Sequence, residues 1–258
     1  MYNKKGFTLV ELSIVLIIIG LIIGGVLVGQ NLIRSAEISA TIRQISNLNA
    51  SVAAFRIKYN GLPGDLNSST ASSFGLTSRS GAAGVGDGNG LIESIGGAGA
   101  TAASGETALF WTDLFSAGLI EGNTSAYTAP ATAITLGSTP LEQYFLPAKL
   151  GKGNFFIVYA ASGLNYYEIT GITGITAGAY TLFDGLAPAD AFGIDSKLDD
   201  GMPTTGVVTA TGNTTPNGAA TSGAGGASAA FCVNSTPTPD QYNNVNTAPL
   251  CRVRIRMS

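Results

Sequence analysis

Histidine does not occur in the 258 residues. With it go the commonest general base and the commonest metal ligand, which disfavours triad hydrolases and ordinary zinc enzymes. Charge is scarce as well: Asp, Glu, Lys and Arg make up 11% of the chain, against about a quarter in an ordinary soluble domain. Setting aside Lys4 and Lys5 leaves 11 basic residues against 16 acidic, a net of -5. No basic patch able to track a nucleic-acid backbone stands outside the last few residues, so no nucleic-acid partner is expected. Cysteine is confined to Cys232 and Cys251, and an even pair in an exported head most simply forms one disulfide. The single tryptophan, Trp111, sits beside Phe110 and Phe115 at helical spacing and reads as core. There is no nucleophile placed with a base, no phosphate loop and no soft-metal cluster, so the chain is not expected to be an enzyme.

What the chain has instead is apolar length. Hydrophobic residues account for 45% of it, and the amino terminus concentrates them. From Leu12 to Ile33 no residue is charged; as a helix this run spans about 33 Å, enough for a hydrocarbon core of roughly 30 Å. Lys4 and Lys5 precede it, which places the start of the chain on the cytoplasmic side. A secretory signal peptide would have a shorter core closed by small residues, and a plain signal anchor would need no acid. Glu11 stands at the very edge of the apolar run, where an ionised side chain is costly and marks a function and a partner.

The block Gly6-Phe7-Thr8-Leu9-Val10-Glu11-Leu12 resembles the processing site of type IV prepilins and type II secretion pseudopilins. The resemblance implies cleavage after Gly6 by a membrane prepilin peptidase and N-methylation of the new terminus at Phe7. It implies that Glu11 neutralises the terminal amine of a neighbouring subunit as apolar helices stack, since either charge alone would be heavily penalised there. It further implies membrane lipid as the first partner, then copies of the chain, other pilin-like subunits and an inner-membrane assembly platform. The expected place is the bacterial inner membrane, crossed once with the head outside the cytoplasm, and then a cell-surface or periplasmic filament. A pilin, a secretion pseudopilin and an anchored adhesin or binding module all use such a leader. Many pilins carry a proline in the membrane helix; this chain has Gly20, Gly24, Gly25 and Gly29 there instead, which lower helix propensity and allow close approach.

Beyond the membrane run, Ile38, Ile42, Ile45, Leu48, Val52, Phe55 and Tyr59 recur at spacings of three and four. This predicts one apolar stripe on a continuing helix, ended by Gly61-Leu62-Pro63-Gly64. The divisions expected are a leader over 1–6, a helix over 7–60 (about 12–33 membrane-spanning) and an extracytoplasmic head over 61–258. The class is α+β. In the pilin fold that the resemblance implies, the long helix packs on a head with a small antiparallel sheet and long loops. Within the head, Asp65 to about Gly105 reads as irregular, Ser104 as the cap of a helix through Phe115, and 154–160 with 165–170 as a hairpin. Gly206 to Ala230 reads as a low-complexity surface loop. In the last segment Cys251, Val253, Ile255 and Met257 alternate with Arg252, Arg254 and Arg256, predicting a strand with its arginines outward. The cysteine-bounded loop also resembles the carboxyl-terminal variable region of many type IV pilins. Two acidic loops are candidates for calcium, one with Asp87, Asn89 and Glu93 and one with Asp195, Asp199 and Asp200. They offer oxygen ligands among glycines, and turn capping with solvated carboxylates is the plainer account of both.

Overall fold

The structure, a computed structural model, describes residues 8–95, 102–122, 127, 129, 131–136, 140–211, 231–234 and 239–258. One helix dominates it: α1, Leu9–Tyr59, is 51 residues long, about 77 Å at 1.5 Å per residue. Thr8 caps its start. Asn60 ends it in the left-handed conformation (φ 56°) with its N–H donated to the Arg56 carbonyl, as a helix C-terminus requires. From Leu9 to Val28 every residue is exposed. From Ile38 onward one face is covered, through Ile38, Thr41, Ile45, Leu48, Val52, Phe55 and Tyr59. The expected stripe is therefore present with one adjustment: Thr41 is buried and Ile42 only half so. The Thr41 hydroxyl donates to the Glu37 carbonyl at 2.9 Å, and this makes its burial tolerable.

The sheet has five antiparallel strands: β1 (Asn154–Ala161), β2 (Leu164–Thr176), β3 (Ala179–Phe183), β4 (Val208–Thr211) and β7 (Arg252–Arg256). Their order is β1-β2-β7-β4, with β3 also on β2. Ser162 (φ 51°) and Gly163 (φ 76°) turn β1 into β2, the doubly left-handed turn that matches strand twist. The strand β2 runs past the expected Thr170 because its far end pairs with β3, around a register shift between Ile172 and Gly174. Two further strands, β5 (Val233–Asn234) and β6 (Gln241–Tyr242), form a small separate pair.

Among the described residues three short α-helices complete the head, α2 (Ser68–Ser73), α3 (Glu106–Ser116) and α4 (Pro188–Leu198), with one 3-10 turn at Leu141–Gln143. The helix α3 touches both α1 and β1, and α4 touches α1, β4 and β6, so the short helices bridge spine and sheet. Phe110, Trp111, Leu109 and Leu114 are wholly buried and share one core with the α1 stripe and with Phe156, Ile169 and Val253. Trp111 is thus the core residue its spacing predicts.

Four expectations need correction. The stretch after Asp65 is not wholly irregular, because Asn67 caps α2 by accepting the Thr70 N–H at 2.8 Å. Ser104 does not cap α3; Gly105 does, at a backbone angle (φ 57°) that favours glycine, and Ser104 Oγ accepts from the Ile95 N–H instead. The expected low-complexity loop opens with β4, since Val207 and Val208 donate their N–H groups to Asp199 and β4 pairs with β7. Its remainder, 212–230, lies outside the described residues. Finally, only Arg256 faces solvent as predicted. Arg254 lies over the Tyr166 ring, and Arg252 is fully buried. Its guanidinium reaches Asp184 at 3.0 Å and Glu168 at 3.4 Å, and Glu168 accepts the Tyr159 hydroxyl at 2.6 Å. Burial pushes the Glu168 carboxyl up to about 7 and Arg252 opposes the shift. An arginine can turn inward here because acids on β2 and after β3 compensate it.

A second buried pair fastens the end of α1. Arg79 and Asp113 are both without solvent exposure and bond through two contacts of 3.0 and 2.8 Å. Asp113 also accepts the Gly64 N–H at 2.7 Å, and Arg79 donates to the Gly64 carbonyl. Gly64 adopts φ +85° against the α3 backbone, where a β-carbon would strike the Glu106 carbonyl. At the other end of the head, Cys232 and Cys251 form a disulfide with Cα atoms 5.0 Å apart. It ties the β5–β6 pair to the start of β7.

Removing one partner of the Arg79–Asp113 pair strands a buried charge, which costs about 3–5 kcal/mol. Asp113→Ala should lose that much in urea unfolding of the detergent-solubilised protein, followed by Trp111 fluorescence. The double substitution Arg79→Met with Asp113→Leu should recover most of the loss.

Candidate functional site

The exposed end of α1 is built from its first turn. Thr8 and Glu11 form a reciprocal capping box: the Glu11 N–H donates to Thr8 Oγ at 3.3 Å, while Glu11 Oε2 accepts the Thr8 N–H at 2.8 Å and the Thr8 hydroxyl at 2.7 Å. The carboxylate is thereby folded back onto Thr8 at the start of the helix. Negative charge suits this position, where the helix leaves its first N–H groups unpaired. Gly6 and Phe7 themselves lie outside the described residues. Glu11 thus presents one acid at the tip of a rod with 17 large apolar side chains exposed between Leu9 and Ile33. Such a surface needs lipid or other apolar helices around it.

The first acidic loop is assembled differently from the sequence reading. Asp87 joins Asp65 and Glu106, their carboxylate oxygens lying within 4.8 Å of one another. Asn89 and Glu93 sit to the side, where the Asn89 amide bridges the Asp87 carboxylate at 3.1 Å and that of Glu93 at 3.2 Å. Asp65 and Glu106 are distant from the loop in sequence, which is why its spacing did not point to them. They hold it by its backbone: Asp65 accepts from Gly88, Asn89 and Gly90, and Glu106 from Gly86, Asp87 and Glu93. Both are buried. Burial is the main cause that lifts Asp65 to about 6 and Glu106 to about 8; the backbone donors pull the other way and the neighbouring carboxylates add to the rise.

In the second trio the carboxylate oxygens of Asp195, Asp199 and Asp200 lie within 4.8 Å of one another. Its members are also turn fasteners. Asp195 accepts the Tyr242 hydroxyl at 2.8 Å and the Gly201 N–H. Asp199 accepts from Val207 and Val208, and Asp200 from Met202 and Thr205. Burial raises Asp195 to about 6, whereas the Thr205 and Met202 donors lower Asp200. Both trios offer oxygen donors only, the chemistry of a hard cation such as calcium. A carboxylate has about four acceptor positions, so the three backbone bonds on Asp65 and on Glu106 leave little of either free.

Residues 1–27 match the prokaryotic N-terminal methylation motif, the leader of type IV prepilins and pseudopilins. No curated protein and no solved structure matches the chain. The leader and the long apolar helix fit a membrane-anchored, single-pass protein, and the leader supports a subunit of pilin or pseudopilin type.

The unfolded chain releases the Glu106 proton near its ordinary value of 4.5, while the folded chain holds it to about 8. Stability therefore falls as pH rises through that window. The Tm should be higher at pH 5 than at pH 8. Glu106→Gln should lower the Tm throughout, because its amide meets a backbone donor, and should flatten the part of the slope above pH 7. An unchanged slope would show that Glu106 ionises normally.

Proposed function

We propose that this protein is the structural subunit of a type IV pilus or a related filament, cleaved after Gly6, methylated at Phe7 and polymerised through the apolar half of α1. The observation that carries the reading is the first half of α1: residues 9–28 have no cover from the head, the leader matches over 1–27, and Glu11, the one acid of that half, stands at its tip. In the bilayer lipid covers that surface. On leaving the bilayer it must be covered by other helices, or pay for roughly 25 cal/mol per Å² of apolar area returned to water.

The same step gives Glu11 its role. Cleavage before Phe7 creates an amine, and in the dry centre of a helix bundle an unpaired amine or carboxylate is strongly disfavoured. Glu11 of one subunit pairing with the Phe7 amine of the next would neutralise both and set the stagger between them. The capping box with Thr8 keeps the carboxylate at the helix start until that partner arrives. The prepilin peptidase and an inner-membrane assembly platform are the partners this route requires. A secretion pseudopilin is the second reading. The two acidic trios favour it as calcium sites that would brace the head, and the carboxyl-terminal disulfide loop favours the pilin.

Mass spectrometry of the amino-terminal peptide, from membranes and from material sheared off the cell surface, should find methylated Phe7 in both. An unprocessed Met1 terminus confined to membranes would leave a plain anchor. Glu11→Ala should keep the membrane pool and reduce the sheared pool at least tenfold. Calcium needs ionised carboxylates, so millimolar calcium should raise the Tm at pH 8 and much less at pH 5, and Asp87→Asn or Asp200→Asn should each diminish the rise. No rise at pH 8 would remove calcium from both trios.

A further inference from the structure

The head does not stand clear of the membrane on a stalk. The uncharged run ends at Ile33, and its length of about 33 Å exceeds the hydrocarbon core by only about 3 Å. Ile33 is therefore close to the outer edge of that core. Yet Lys152, Ala187, Asp190 and Thr247 line one cleft with Gln30, Ile33, Arg34 and Glu37. The headgroup layer of one leaflet is only about 5–8 Å thick. Parts of the head that reach Gln30 and Ile33 must then lie at its level.

Three elements make up this lower rim: the turn 151–153, the start of α4 and the loop 244–249. Lys152 is exposed between Gly151 and Gly153, in a left-handed turn (φ 58°) that holds it out from the sheet. Val245 is 86% exposed, within a tight turn closed by the Asn246 N–H on the Asn243 carbonyl at 3.0 Å. The loop around it, from Asn243 to Leu250, carries no charge. Asp190 is almost fully buried and paired with Arg34, so its negative charge is neutralised. Glu37 is half-buried and the one other acid in the cleft. The Arg34–Asp190 pair also locks α4 to α1, and Lys197 Nζ on Ser39 Oγ locks the next turn. The rim is thus held at one height relative to the span.

We propose that this rim is a lipid-contact surface. The Lys152 ammonium meets headgroup phosphates, Val245 enters the interfacial layer, and the head is thereby held at a set tilt on the bilayer before assembly. An amphipathic edge of this kind, one cation beside one aliphatic side chain and uncharged amides, suits the interface better than either water or hydrocarbon. The inference rests on α1 spanning the membrane and goes beyond it, because an anchored head could equally be free to swing.

Trp111 is the only tryptophan and is wholly buried, so a second tryptophan reports its own surroundings. Three variants of the full chain, Val245→Trp, Leu21→Trp and Ile57→Trp, would be placed in phosphatidylcholine–phosphatidylglycerol vesicles containing lipids brominated near the top of the acyl chain or near its end. Leu21 is mid-span, and Ile57, 86% exposed, is about 36 Å above Ile33 along the helix. The expected result is Leu21→Trp quenched by deep bromines, and Val245→Trp quenched by shallow bromines at least threefold more than Ile57→Trp. Val245→Trp quenched no more than Ile57→Trp, with Leu21→Trp still quenched, would overturn the rim and leave the anchor standing. Leu21→Trp unquenched would remove the anchor and the rim with it. Val245→Trp shielded from both lipid bromines and aqueous iodide would mean that a second copy covers the rim, which also overturns the proposal.

Discussion

The apolar stripe of α1 from Ile38 to Tyr59 is the surface on which the head is assembled. Without it α3 would lose the wall behind Phe110 and Trp111, and α4 would lose the rod to which Asp190 and Lys197 attach. The same helix has nothing packed on it from Leu9 to Val28. One rigid element therefore has two solvents: its own head along one half, and lipid or neighbouring helices along the other. A long helix is stable in water mainly through packing of its apolar face, so each half depends on the environment it is given.

Polar groups fix how the head closes around that rod. The Arg79–Asp113 pair joins the chain just after α1 to α3, and Arg252 with Glu168 and Asp184 joins the last strand to the middle of the sheet. Buried ion pairs are poor sources of net stability but severe about geometry, since a displaced partner leaves a bare charge. The acidic trios act similarly on a smaller scale. Asp65 and Glu106 replace missing strand hydrogen bonds for the loop 86–93 by accepting its N–H groups, which is how a glycine-rich segment can hold one path through the head. The disulfide does for the β5–β6 pair what these carboxylates do for that loop.

Two residues relate the head to the membrane. Glu11 lies at one end of the apolar run and Arg34 just beyond the other. Glu11 is held by Thr8, a contact within its own first turn. Arg34 is held by Asp190 of α4, so the charge that ends the membrane span is also the one that clamps the head down.

Periodicity and local chemistry made much of this legible before any coordinates. The span, Glu11 and its leader, the stripe, the hairpin after Asn154 and the carboxyl-terminal strand are all contained in stretches short enough to carry their own pattern. Cys232 and Cys251, an even pair, most simply form the one disulfide that the structure contains. What the sequence alone could not show is which distant acids meet. Asp65 and Glu106 are 41 positions apart, Arg79 and Asp113 are 34, and Arg252 and Glu168 are 84. Alternation read Arg252 as outward because alternation assumes one dry face and one wet face, whereas β1 and the middle of β2 are buried on both. Local pattern determined the rod, its charged tip and the strands, because helix and strand periods are properties of neighbouring residues. The tertiary structure decided which carboxylates share a loop, which arginine turns inward and how low the head sits on α1, because those depend on charges brought together only when the chain closes.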